Sequence, residues 1–208
     1  MVSMSEATPA RRGRTPSADV ERELLTAAES VLVREGPGGL TVRAVAAEAG
    51  IAPMGVYNRL GGKDGLVDAL LIRGFDRLRV SLEEAMAAPG EPGMRGRFVA
   101  CGLAYRQFAL ANPHFYAIMF EGAVPHENDN AELAEAATAC FGALVRAVEL
   151  SAAAGVIAAP DPLEAAQQIW SAVHGAVALE LKGMVQTPDP QYTYQAFLAT
   201  LIRGLAPR

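Results

Sequence analysis

The sequence predicts an all-α chain, a small three-helix unit followed by a larger helical one, and three observations carry that expectation. Apolar residues recur at threes and fours in one segment after another from Val20 to Ile202, the spacing of one helix face. Residues that start helices precede several of these segments: Thr41 before Val42, and Asp161 with Pro162 before Leu163, a side-chain acceptor and a proline at the first helical position. Glycine and proline stops follow them at Gly36-Pro37-Gly38-Gly39, Gly50, Pro89-Gly90 and Asn112-Pro113. With 208 residues, 51% of them hydrophobic, the chain can bury a sizeable core.

Residues 1–16 are small, polar and proline-punctuated, and read as a disordered arm. Arg11, Arg12 and Arg14 stand there with no acid closer than Glu6. Two readings stay open: a solubilising tail, or a basic arm that tracks phosphates or enters the minor groove of a nucleic acid. Ser17 opens the first helix, whose face is Val20, Leu24, Ala27, Ala28, Val31 and Leu32 and whose end is the Gly36–Gly39 run.

The stretch Thr41–Lys63 reads as two short helices and a third helix start. Val42, Val45, Ala46 and Ala49 make one apolar stripe, Thr41 supplies an N-cap hydroxyl, and Gly50 ends the helix in the left-handed region. Ile51 plugs the turn, Pro53 opens the next helix, and Val56 and Leu60 point inward. Pro53, Met54, Gly55, Tyr57 and Asn58 are then left facing out. Two helices this short cannot stabilise each other alone; the arrangement presents the second one. Residues 17–63 therefore read as a helix-turn-helix DNA-binding unit.

The pattern T-V-R-x-V-A-x-E-A-G-I-x-x-x-x-V-Y-N-R-L-x-x-K-D-x-L, beginning at Thr41, resembles the DNA-binding domain of the TetR family of bacterial transcriptional regulators, over residues 17–80. The resemblance implies that Thr41, Tyr57, Asn58 and Lys63 serve the DNA backbone. Their chemistry agrees: a hydroxyl, a phenol, an amide and an ammonium, with Lys63 at a helix N-terminus that already attracts anions. Base readout falls to Pro53, Met54 and Gly55, with Arg43 a candidate bidentate partner for guanine. Ala52 stands where the family favours a capping Ser or Thr, Asn58 where His is frequent, and Leu60 where Phe is frequent. So spare an edge shifts specificity towards thymine-methyl contacts and DNA shape.

From Lys63 a long helix carries Leu66, Val67, Leu70, Leu71, Phe75, Leu78 and Leu82 to Pro89-Gly90, a lever between the two units. A helix over Met94–Ala111 follows, then the aromatic segment His114–Phe120, a polar loop at Pro125–Asn130 and a helix over Leu133–Leu150. Asp161 caps the penultimate helix, with Glu164 completing an Asp-x-x-Glu box. The last runs from about Tyr192 to Leu205. Both final helices are apolar around much of their circumference, which suits a four-helix homodimer interface. Trp170-x3-His174-Gly175, followed by Leu179-Glu180, resembles the C-terminal domain type of TetR-like regulators named for its Trp-His-Gly signature. Residues 64–208 are thus expected to bind a ligand and dimerise, with Tyr105, Phe108, Phe115, Met119, Phe120, Trp170, His174 and Met184 as candidate ligand contacts. For each of these a plain core role stays open.

Charge is divided. Residues 1–63 carry eight Lys+Arg against seven Asp+Glu, and residues 64–208 carry ten against sixteen, within a net charge of −5. The acid lies away from any nucleic acid. Cys101 and Cys140 form no CxxC pair and read as buried thiols in a reducing cytoplasm. No apolar run approaches the length of a membrane span, and no signal peptide precedes the first helix. His114, His126 and His174 fit no metal or catalytic motif, and neither a G-x-S-x-G nor a phosphate loop is present. The sequence thus points to no enzyme, cofactor or metal. The expectation is a cytoplasmic homodimeric repressor that binds a pseudo-palindromic double-stranded DNA operator and is released by a small-molecule effector. A ligand-dependent activator and a nonspecific architectural DNA binder are the alternatives.

Overall fold

The computed structural model describes residues 17–88, 93–124 and 129–207. Among the described residues there are nine helices and no strand. They are α1 (Ser17–Gly39), α2 (Val42–Glu48), α3 (Pro53–Leu60), α4 (Lys63–Ala87), α5 (Gly93–Ala111), α6 (Pro113–Phe120), α7 (Ala131–Ala153), α8 (Pro162–Leu181) and α9 (Pro190–Gly204). The basic arm with Arg11, Arg12 and Arg14, the stop at Pro89-Gly90 and most of the 125–130 loop lie outside the described residues.

The first three helices form where local chemistry directs them. Helix α1 breaks at Gly36 (φ 71°, ψ −178°), a backbone geometry that only a residue without Cβ takes cheaply, and a short turn through Pro37 follows. Thr41 Oγ1 accepts from the Ala44 N–H at 3.1 Å, and Gly50 (φ 67°) ends the chain's first short helix in the left-handed region. Leu24, Val31, Val45 and Val56 are fully buried between α1, α2 and α3. On the rim, Arg34 pairs with Glu48 at 2.9 Å and ties α1 to α2.

Helix α4 belongs to two cores. Leu66, Val67, Leu70 and Leu71 complete the core of α1–α3, while Leu78 and Leu82 lie in the core of α5–α9. The expected division at residue 63 therefore does not separate the cores. Glu29 of α1, mostly buried, holds Arg73 Nε at 2.5 Å and Arg77 at 2.9 Å on α4. The segment read only as aromatic is helix α6, opened by Pro113. Its periodicity is hidden because nearly every residue in it is apolar. Phe115 and Ile118 of α6, with Val124 beyond it, join the first core rather than the second.

The second unit packs α4, α5, α7, α8 and α9 around a shared interior. Contrary to expectation, α7 is long and apolar enough for a membrane span by length and composition, with mean hydropathy 1.3. It instead places Cys140, Ala147 and Val148 in the common core. Asp161 Oδ1 accepts from the N–H groups of Leu163 and Glu164, as its capping role requires. The Glu164 carboxylate meets Gln168 Nε2 at 2.8 Å.

A side-chain bridge at the start of α7 escaped the sequence. Asn130 Oδ1 accepts from the N–H groups of Glu132 and Leu133, while its Nδ2 donates to Asp68 Oδ2 at 2.9 Å. Asp68, on α4, is 1% exposed. Asn130→Ala removes a helix cap and a donor to a buried carboxylate together, so it should cost about 2–3 kcal/mol in urea unfolding. A loss below about 0.5 kcal/mol, the level of an ordinary surface change, would show that the bridge is not structural.

Candidate functional site

Helix α3 stands proud of the first unit with a mixed polar and apolar outer edge. Pro53, Met54, Tyr57 and Asn58 are exposed, as are Thr41 and Arg43 on the neighbouring α2 end. Met54 is 64% exposed and Tyr57 54%, so both side chains are open to a partner at this edge. Gly55 departs from expectation. It is half-buried, and a Cβ there would lie 2.8 Å from Ile51 Cδ1, so the position faces the turn and not the open edge.

The joint between α3 and α4 is built from glycines. Gly61 (φ 72°) and Gly62 (φ 96°) reverse the chain in backbone regions that disfavour other residues. The Tyr57 ring lies across Gly62, where a Cβ would come within 2.8 Å of it, so the phenol is held in place despite its exposure. Lys63 is the first residue of α4, and the α4 N-terminus carries no side-chain cap. Lys63 and N–H groups without a side-chain cap thus share one helix end, next to the Tyr57 ring, and that combination attracts phosphate. Helix α3 likewise begins at Ala52 without a side-chain cap.

A cavity of about 520 Å³ occupies the second unit. Phe75, Leu78 and Leu82 of α4 form one wall; Phe98, Cys101 and Tyr105 of α5 and Leu198, Leu201 and Ile202 of α9 form another. Met119 and Phe120 of α6 close the end towards the first unit. Cys140, Phe141 and Leu144 of α7 and Ile169, Trp170 and Val173 of α8 complete it. Exposed Thr138 and Gln167 mark where it reaches solvent. The aromatic rings run in a chain: Phe141 to Trp170 at 5.9 Å, Trp170 to Phe120 at 6.3 Å, Phe120 to Phe75 at 5.8 Å.

Of the eight expected ligand contacts, the structure brings Tyr105, Met119, Phe120 and Trp170 to this cavity. Phe115 is 2% exposed in the first core, and Phe108 lines an open groove with Leu25, Arg73 and Arg77 instead. Met184 is 56% exposed beyond the end of α8. His174 sits behind the wall, its Nδ1 2.8 Å from the Tyr105 hydroxyl and 3.1 Å from that of Tyr116. Burial holds its pKa below the ordinary histidine value, against the smaller opposite pull of Glu121. Burial also pushes the Tyr116 hydroxyl up to about 12. The group is a neutral hydrogen-bonded cluster that fixes α5, α6 and α8 relative to one another. The sequence missed the α4 contribution, because Phe75, Leu78 and Leu82 look like any other helical stripe.

Helix α6 touches both sites. Phe115 and Ile118 enter the first core, Phe120 faces the cavity, and a Cβ at Gly74 of α4 would lie 2.7 Å from Met119 Sδ and 3.2 Å from Phe115. Such contact leaves little slack between α4 and α6.

Comparison with known proteins agrees across the chain. Residues 24–70 match the family described as bacterial regulatory proteins, tetR family, and residues 98–204 match the tetracyclin repressor-like C-terminal domain. The HTH-type transcriptional regulator Rv1816 of Mycobacterium tuberculosis is 24% identical, covering 90% of this chain and 92% of that protein. The uncharacterized HTH-type transcriptional regulator Rv0681 of the same organism is 28% identical, covering 92% and 84%. A solved structure of a protein of unknown function from Rhodococcus sp. RHA1 superposes with a TM-score of 0.79 at 32% identity, over 97% of this chain and all of that one.

Proposed function

The chain belongs to the TetR family of bacterial transcription regulators, and from that premise we propose that it is a cytoplasmic repressor released from its operator by a small molecule bound in the second unit. The observation that carries this reading is the double membership of α6, whose Phe115 is buried with the helix-turn-helix and whose Phe120 walls the cavity. A ligand that prefers one position of α6 biases the α4 N-terminus through Gly74, and with it Lys63 and Tyr57. The shift is only as large as the ligand's preference between the two positions.

Thr41, Tyr57, Asn58 and Lys63 hold phosphates in this reading, and Arg43, Pro53 and Met54 meet base edges. Gly55 serves by letting α3 lie close to Ile51. The protein binds as a homodimer, since two such units must reach successive major grooves about 34–36 Å apart. Exposed Leu163 and Leu179 on α8 and Tyr192 on α9 support an interface there.

Tyr57→Ala and Lys63→Ala test the phosphate assignment. Each should weaken binding to operator and unrelated DNA alike, and Lys63→Ala should reduce the log–log salt slope by about two, one for each protomer's lysine. Anisotropy titrations at several salt concentrations read both. Wild-type affinity and slope in either variant remove that residue from the interface.

A further inference from the structure

We propose that the cavity takes an uncharged, mainly apolar molecule with one neutral hydrogen-bonding end, which it presents to Thr138 and Gln167 at the mouth. This rests on the reading of the second unit as the effector site and specifies the chemistry of that effector. The cavity's size, about 520 Å³, lies in the range of small-molecule sites. Among the described residues, none that lines it is Asp, Glu, Lys, Arg or His. A carboxylate, phosphate or ammonium carried past the mouth would be stripped of water and meet no opposite charge, a penalty far larger than the apolar wall can return, and one left at the mouth finds no counter-charge on Thr138 or Gln167.

The polar atoms that do line it are neutral. Burial pushes both thiols, Cys101 and Cys140, up to about 12, so they stay protonated and supply no thiolate. Tyr105 is moved upward by burial as well, and its hydroxyl is engaged with His174. At the mouth, Gln167 donates one amide hydrogen to Ser171 Oγ at 3.2 Å, while the Thr138 hydroxyl donates to Ala134 O at 2.7 Å. Gln167 keeps a carbonyl oxygen and a second N–H to offer, and Thr138 keeps acceptor capacity. The serious competitor is an organic cation, which aromatic faces attract. Here the rings of Phe141, Trp170, Phe120 and Phe75 are spent largely on one another, and no carboxylate among the described residues lines the wall to assist them.

Trp170 is the chain's single tryptophan and lines the cavity, so its emission reports occupancy. Purified full-length protein is titrated, below their aggregation thresholds, with dodecan-1-ol, dodecanoate and dodecyltrimethylammonium, three probes of one chain length. Dodecan-1-ol should give a saturable change, with affinity about three- to tenfold above both charged probes, whose heads stay hydrated at the mouth without a counter-charge. Thr138→Val and Gln167→Leu, both at exposed positions, should each lower dodecan-1-ol affinity by about three- to tenfold at unchanged thermal midpoint. A charged probe that binds as tightly as the alcohol, or failure of all three to saturate, overturns the proposal. The regulator reading fails separately: alcohol that saturates Trp170 yet leaves operator affinity unchanged contradicts release and leaves the ligand class standing.

Discussion

Replacing Gly65 by alanine is expected to weaken operator binding severely while leaving the cavity-bearing unit folded. A Cβ at Gly65 would be driven into the carbonyl oxygen of Leu60. The obstacle is backbone, so no side chain can rotate away, and α3 must separate from the first turn of α4. Overpacking of this kind costs about 3 kcal/mol, and the strain falls on the joint that holds Tyr57 and Lys63. Operator affinity should drop by more than about a hundredfold, a loss of about 2.7 kcal/mol. Gly38→Ala is the control, since nothing lies within 4 Å of a Cβ there. Operator binding within threefold of wild type in Gly65→Ala would mean that the α3–α4 joint does not position the reading helix.

Phe115→Ala and Phe120→Ala should separate the two faces of α6. Phe115 is 2% exposed among the helix-turn-helix core, so its truncation should cost about 3–5 kcal/mol and lower operator affinity. Phe120 is only partly buried and walls the cavity. Its truncation should enlarge the cavity, alter the response to ligand and leave operator affinity within about twofold. Chemical denaturation and anisotropy titrations distinguish them. Equal loss of operator affinity in both variants would remove α6 as the link between the sites.

What the sequence revealed and what it hid divide along the reach of each interaction. Thr41, Gly50 and Pro53 act within a turn of their own position, so the helix-turn-helix was legible residue by residue. The same holds for Asp161 at α8. Phe115 and Phe120 were indistinguishable by sequence, because a short helix apolar on every side carries no sign of which core it serves. Gly65 and Gly74 matter because Leu60 and Met119 approach them, and the buried Asp68 meets a donor, Asn130, that arrives from a distant turn. Gly55 looked outward for want of knowing where Ile51 settles. The cavity was half legible: aromatic residues on α5, α6 and α8 stood out, whereas those α4 supplies are concealed in a regular stripe.

The most direct test of the central claim is selection of genomic fragments by the full-length protein, followed by measurement of affinity for the recovered site and for unrelated duplexes at one salt concentration. A regulator of this kind should recover pseudo-palindromes whose half-sites are centred about one helical turn apart, bound about a thousandfold or more tightly than unrelated DNA. Recovery of fragments with no shared half-site, bound no better than random duplex, would contradict it.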